Sequence, residues 1–190
     1  MLAPELFPAL ETSRLRLREI TLQDAPALFA IHGDAALMRW FGFDPLPDLT
    51  AAENLVKVFA AWRTQANPGT RWGIQLKHDP LLLGSCGLYG WNRNWRKCTI
   101  GYELAAHVQS RGYMQEALCV MIDWGFDKMK LNRIEAEIHP DNQASLRLAA
   151  KLGFVKEGLL RQAGRWDGRY HDLLQYSLLR SEWLPLLDAD

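Results

Sequence analysis

Ile100-Gly-Tyr-Glu-Leu-Ala-Ala-His-Val-Gln-Ser-Arg-Gly-Tyr-Met-Gln-Glu-Ala-Leu118 decides how this chain folds. Its opening residues read as a strand, Gly112 breaks the run, and the residues after Gly112 have the spacing of an amphipathic helix. Gly112 permits a tight turn, and the first amide N–H groups of the helix have no intrahelical acceptor, so they point into that turn. A pyrophosphate suits the position, because the helix N-terminus adds a partial positive charge and Arg111 adds a full one. A strand-glycine-helix junction occurs in many α/β crossovers, so its neighbours must specify it.

Outward from this junction the period of the apolar residues changes repeatedly. Leu15 and Leu17 alternate with arginines as a first strand would. Thr21-Leu-Gln-Asp24 matches a capping box with Asp in the reciprocal place, and Leu28, Phe29 and Ile31 follow at helical spacing. Pro45 and Pro47 punctuate a loop, after which a helix starts near Thr50 with Leu55, Val58, Phe59 and Trp62 on one face. Arg71 to Lys77, Leu81 to Trp91 and Cys98 to Leu104 read as strands, with turns at Asp79-Pro80 and around Asn92 to Asn94. After the central helix, Arg133 to His139 alternates as a strand and Asn142 to Leu152 is helical. Two further strands come next, near Phe154 and near Leu173 to Leu179. Strands outnumber helices in a mixed order, which predicts an α+β fold with helices on both faces of a sheet. No repeat, low-complexity tract or linker interrupts it, so residues 1–190 read as a single domain.

Composition narrows the class. Of the 190 residues 48% are hydrophobic and 23% charged, and the formal net charge is zero, as expected of a soluble globular protein. A neutral chain gives no global attraction to DNA or to an anionic membrane. Apolar runs such as Leu81-Leu-Leu83 are too short to span a bilayer, and no basic segment followed by an apolar core opens the chain. A cytoplasmic protein is expected. Cys86, Cys98 and Cys119 are odd in number and lack CxxC spacing, so neither a disulfide framework nor a metal site is predicted.

Two common phosphate loops are absent, since the chain has neither a Walker-type glycine-lysine-serine/threonine string nor GxGxxG. It has Gln109-x-x-Gly112-x-Met114, then Asn142-Gln-Ala-Ser145 and Leu152-Gly-Phe154. That set resembles the GNAT superfamily of acetyl-CoA-dependent N-acetyltransferases. Leu10-Glu-Thr-Ser-Arg-Leu-Arg-Leu-Arg18, Glu157-Gly158-x-x-Arg161 and Gly168-x-x-His171-Asp172-x-x-x-Tyr176 are similar to its branch of ribosomal-protein N-terminal acetyltransferases, the RimL and RimJ group. These matches run from about residue 10 to residue 180 in the family's order.

The resemblance implies a mixed, mostly antiparallel central sheet whose strands splay apart, at a bulge on the strand before the turn, to form a cofactor cleft. The amides of the turn made by Gln109, Ser110, Arg111, Gly112, Tyr113 and Met114 would hold the pyrophosphate of acetyl-CoA. Its pantetheine arm would pair with the backbone near Glu103 and Leu104, and Asn142 would hydrogen-bond the arm. Met114 stands where the family has a small residue, and its longer side chain could crowd the phosphate. Ser145 is the candidate proton donor to the departing thiolate. Asn and Ser at a helix start also serve as caps, which is the alternative for both.

Glu103 is the candidate base if burial raises its pKa; the alternative is a solvent-facing or ion-paired carboxylate. The resemblance implies a glutamate base in the segment after Arg161, but the matching position here is Gly164, so that role does not carry over. A lysine amine, with pKa about 10.4, is neutral at pH 7 to only a few parts in ten thousand, whereas an α-amine near 7.7 to 8 is neutral to roughly a tenth. A chain without an evident strong base therefore favours an α-amine acceptor, in line with the resemblance to enzymes acting on ribosomal proteins. Alternatives are a small-molecule amine such as an aminoglycoside, a polyamine or an amino-acid derivative, and a module that binds CoA without catalysing. No covalent nucleophile is identifiable, so direct transfer in a ternary complex is expected.

Trp40 and Phe41 fall where the family walls its acceptor site. Trp91 and Trp95 frame Asn-Arg-Asn and precede Arg96-Lys97, which reads either as RNA contact or, more simply, as a hairpin tip with solvated charges. His171 and Asp172 are adjacent on a strand and point to opposite faces, so they form no dyad; Asp172 is expected to anchor a loop. Strands near the C-terminus could pair between subunits in a homodimer.

Overall fold

The computed structural model describes residues 7–184. Its strands are β1 (Leu10–Glu11), β2 (Leu15–Arg18), β3 (Thr70–Leu76), β4 (Asp79–Asn92), β5 (Lys97–Leu104), β6 (Arg133–Ile138), β7 (Val155–Trp166) and β8 (Arg169–Leu179). They form one sheet in the order β1-β2-β3-β4-β5-β6-β8-β7. Every neighbouring pair is antiparallel except β5 with β6. That parallel pair requires a crossover, supplied by α4 (Tyr113–Asp127). The other helices are α1 (Ala25–His32), α2 (Ala35–Met38), α3 (Leu49–Trp62) and α5 (Gln143–Lys151). The mixed sheet with helices on both faces is the architecture expected from the sequence.

Period-two alternation divides the side chains of β5 between two cores. Cys98, Ile100 and Leu104 pack in the main core with Ala117, Leu118 and Met121 of α4. Glu103 turns to the opposite face and meets His32 of α1. A smaller core under α1 and α3 joins Leu28, Ala52, Val56, Phe59 and Leu82. Fully burying an aliphatic side chain contributes about 1.5–3 kcal/mol, so these two clusters account for much of the drive to cover both faces.

Local signals place most elements. The predicted capping box at Thr21 and Asp24 is present, and the Asp24 carboxylate also accepts 2.8 Å hydrogen bonds from both terminal nitrogens of Arg18. Asp34 caps α2 by accepting from Ala36 N and Leu37 N, and Asp48 caps α3 by accepting from Ala51 N. On α3 the buried stripe is Ala52, Val56 and Phe59, so Val58, expected inside, falls at its outer edge and is 45% exposed. The turn expected at Asp79-Pro80 lies at Lys77 and His78 instead, with Asp79 already paired to Leu76. Pro80 is tolerated at the start of β4, where its missing N–H costs little. Trp95 is 71% exposed at the β4–β5 hairpin, where Arg93 lies over the Trp91 ring and Lys97 over Trp95.

Candidate active site

β5 and β6 pair only through Lys97↔Arg133, Cys98↔Ile134 and Thr99↔Glu135. Beyond Thr99 they part: Ile100 to Leu104 pair with β4 alone, and Ala136 to Ile138 with β8 alone. The expected splay is therefore present, but the expected bulge on β5 is not. Its register with β4 is unbroken from Thr99 to Leu104, and the irregularity lies between Tyr89 and Asn92 of β4, where Gly90 takes φ +64°. The opening begins where each strand keeps only its outer partner, β4 for β5 and β8 for β6.

A cavity of about 950 Å³ runs through the opening. On the α4 side it is lined by Gln109, Ser110, Gly112, Tyr113, Met114 and Gln115. Gly112 caps the helix with φ +80°, and Ser110 also holds a left-handed φ of +61°. A non-glycine residue in that region costs free energy and recurs where a turn is held for function. The Gln109 side-chain amide donates to Leu104 O at 3.0 Å, tying the turn to the end of β5. Met114 does line the cavity but is only 8% exposed and packs in the main core, so the crowding its length could cause is largely turned inward.

Arg111 does not meet its expectation. Its side chain is exposed and does not line the cavity. Arg14 is a cation the structure does bring against the turn: its Nη1 donates to Arg111 O at 3.1 Å, and its guanidinium lies 4.6 Å from the Tyr113 ring centroid. Arg14 also pairs with Glu116 at 2.6 Å, and the Glu116 carboxylate, although burial opposes it, is held below its ordinary pKa by Thr12 and Arg14. These residues belong to the Leu10 to Arg18 string, so that string fastens β2 to the start of α4.

From α5, Asn142, Ser145, Arg147, Leu148 and Lys151 line the same side. Asn142 is a helix cap, its side-chain oxygen accepting from Ser145 N at 3.1 Å. The capping alternative is thus realised, while both residues still face the cavity. Ser145 is close enough to Tyr102 to act on its hydroxyl, and burial keeps the Tyr102 pKa above its ordinary value with Ser145 opposing. Tyr102 therefore remains a neutral phenol at neutral pH. Sequence inspection missed it, and also missed Arg147 and Lys151, whose i, i+4 spacing on a helix carrying Asn142 and Ser145 was the available signal.

On the α1–α3 side the cavity meets Trp40 and Phe41, as expected, together with Phe43, Phe59, Trp62 and Tyr89. Glu103 forms its floor and corrects the expectation for it. The carboxylate is 9% exposed, and both oxygens are taken: Oε1 by the Ser85 hydroxyl and by His32 Nε2 at 3.2 Å, and Oε2 by Arg71 Nη2. Burial favours a raised pKa, but Arg71, His32 and Ser85 together overcome it and lower the value. A half-buried base with a raised pKa is thus replaced by a buried ion pair. The side chain also faces away from α4, so only the Glu103 backbone, like that of Leu104, is open to a cofactor arm.

Gly164 has a steric reason. A Cβ there would come within 2.4 Å of the Trp166 indole, which stacks on His171 at 3.7 Å and donates to Arg39 O. His139 in turn stacks on Trp40, so aromatic rings fill the space beside Gly164. Asp172 anchors a loop as expected, accepting from Gln162 N at 2.7 Å where β7 bulges. In the Glu157 motif, Arg133 and Ser177 bind the carboxylate and lower its pKa to about 2, pinning β7 to β6 and β8. Burial pushes the Cys86 thiol up to about 12 and Cys119 to about 11, so neither offers a ready thiolate.

A parted parallel strand pair, leading from a glycine-capped helix N-terminus to an aromatic chamber, is the arrangement the sequence motifs implied. The chain belongs to the GNAT acetyltransferase family. That domain family matches residues 14–155. The N-acetyltransferase YoaA of Bacillus subtilis is 37% identical over 175 residues, covering 92% of this chain and 98% of the relative. The ribosomal protein uS5-alanine N-acetyltransferase of Escherichia coli is 33% identical over 92 residues, 48% of this chain and 47% of that one. The solved spermidine N-acetyltransferase of Vibrio cholerae superposes with a TM-score of 0.78 at 22% identity, covering 90% and 98% of the two chains. The GNAT fold is thus shared by enzymes named for quite different amines. Among the described residues no helix is long and apolar enough to cross a membrane, and no group of metal-ligating side chains occurs.

Proposed function

We propose that this GNAT acetyltransferase uses acetyl-CoA to acetylate the N-terminal α-amine of a protein or peptide, in a cytoplasmic setting and by direct transfer within a ternary complex. The observation that carries this reading is the β5–β6 opening, which joins the amide-lined turn at Gly112 to the chamber beyond Tyr102. The turn fits a pyrophosphate: Gly112 needs no Cβ, the first-turn N–H groups lack intrahelical acceptors, and Arg147 and Lys151 add positive charge from α5. The Glu103 and Leu104 backbone and Asn142 would hold the amide-rich arm. Acetyl-CoA supplies the activated acetyl thioester there.

The chain's own residues then handle two protons. Ser145 donates one to the departing thiolate and recovers it from the neighbouring Tyr102, whose hydroxyl is reprotonated in turn from water in the cavity. The amine must lose the other, and Glu103 with its lowered pKa and occupied oxygens is poorly suited to take it. An α-amine needs the least help, because roughly a tenth is neutral at pH 7. Its proton can leave to water in the open chamber.

The test is thiol release from acetyl-CoA with a panel of N-terminal peptides, ribosomal sequences included, beside lysine peptides, polyamines and aminoglycosides. Turnover is expected with α-amine peptides above the rest. Preference for lysine side chains or polyamines would overturn the acceptor assignment.

A further inference from the structure

The chamber on the α1–α3 side specifies more than the presence of an amine site, given the acetyltransferase reading on which its role as an acceptor pocket rests. Its walls are two aromatic groups. Phe41 and Phe43 meet at 4.9 Å on the loop after α2, while Phe59, Trp62 and Tyr89 form a chain with centroids 5.2 and 5.6 Å apart. Between them lies the Arg71 guanidinium, 5.7 Å from the Phe41 ring and 5.3 Å from Phe59, and it is already neutralised by Glu103. The floor of the chamber is therefore a closed ion pair, with no net charge to offer a ligand.

One carboxylate is different. Glu137 lies on β6 just past the point where β5 and β6 part, is exposed, and lines the cavity. Among the described residues its carboxylate makes no salt bridge or hydrogen bond, while its backbone pairs with Gln175 of β8. It stands close enough to Tyr89 for its charge to act on the phenol, after the larger influences of burial and Arg71. It also comes directly after Ala136, which faces the main core, so Glu137 points to the chamber side. On the face of β6 that carries the aromatic chamber, Glu137 thus presents one uncompensated negative charge; Asp141, which also lines the cavity, sits in the turn before α5 against His139. A polyamine or aminoglycoside carries several charges and needs several carboxylates, whereas one carboxylate and aromatic faces match one ammonium attached to an apolar body.

We infer that the acceptor is a singly charged primary amine bearing a large apolar group beside the amine-bearing carbon, its ammonium at Glu137 and its apolar group against Phe59, Trp62 and Tyr89. In a peptide this is a large apolar first residue such as Leu, Phe or Met, in preference to Ser or Ala.

The experiment measures kcat/KM at saturating acetyl-CoA for short peptides that differ only in the first residue, with phenethylamine and spermidine beside them and amide product confirmed by mass. Burial of one large side chain sets the expected preference for Leu or Phe over Ser or Ala at about ten- to a hundredfold. Trp62→Ala should collapse that ratio towards one. Glu137→Gln should raise KM for the amine about tenfold, as loss of a charge-assisted contact does. Acetyl-CoA binding by calorimetry should be unchanged in both variants, which controls for folding. Preference for Ser or Ala peptides, or for spermidine, would overturn the inference and leave an acetyltransferase. Preference for phenethylamine over every peptide would support the inference and overturn the peptide assignment. Binding of acetyl-CoA with no amine turned over would overturn both.

Discussion

On the α4 side of the β5–β6 opening the site is made chiefly of backbone: a left-handed glycine, a first helical turn, and capping residues that face the cavity. On the α1–α3 side it is made of side chains drawn from distant parts of the chain, with His32, Arg71, Ser85 and Glu103 sharing charge and hydrogen bonds in the interior. The first side is cheap to build and tolerant of surface change. The second depends on every partner being present, because a buried charge is stable only when it is paired. The two halves of one cavity therefore rest on different physics, and the proposed cofactor and acceptor sites inherit that difference.

That contrast predicts unequal sensitivity. Arg71→Ala leaves the Glu103 carboxylate buried without its cation, and a loss of about 3–5 kcal/mol of stability is expected in urea unfolding; a loss below about 1 kcal/mol would mean the pair is not buried in solution. Replacing both partners together, Arg71→Met with Glu103→Gln, should cost less than Arg71→Ala alone. The same pair gives a pH signature. Glu103 is depressed below its ordinary value of 4.5, so its contribution is present above that value and fades as pH falls through the lower folded value. Acid unfolding profiles should show this slope below pH 4.5, flattened in the double variant.

On the other side the effects should fall on function. Ser145→Ala is expected to lower kcat about a hundredfold, in the range of a lost general acid, with acetyl-CoA affinity by calorimetry unchanged. Equal loss in both would make Ser145 a binding residue only. Gly112→Val forces a β-branched residue into a left-handed φ, at about 1–2 kcal/mol, and should weaken acetyl-CoA binding about tenfold while lowering the melting temperature by about 2–8 °C. Smallest is Asp172→Ala, which releases the Gln162 N–H and should cost about 1 kcal/mol in thermal unfolding without changing KM for acetyl-CoA.

Legibility divides in the same way. The turn from Gln109 to Met114, the helix from Asn142, the capping box at Thr21 and the strand at Leu15 are local patterns, and the structure has each where the sequence placed it. Val58 and the Asp79-Pro80 turn were misplaced because each depends on which side of an element the rest of the chain covers. Arg111 was read as the cation at the turn from sequence proximity, whereas Arg14 arrives there from a separate part of the chain. Glu103 could be identified as a cleft residue, but its protonation state could not be read, since the groups that set it come from β3, β4 and α1.

Sequence alone established the order of elements, the left-handed glycine turn ahead of α4 and the family, because glycine φ, helix ends and period-two alternation are local properties of the chain. Only the tertiary structure decided that β5 and β6 separate without a bulge on β5, that Trp166 fills the space above Gly164, and that Glu103 is a paired anion. It also left Glu137, among the described residues, as an unpaired carboxylate beside the aromatic chamber. These are consequences of which strands become neighbours, and a buried charge takes its state from the neighbours it acquires.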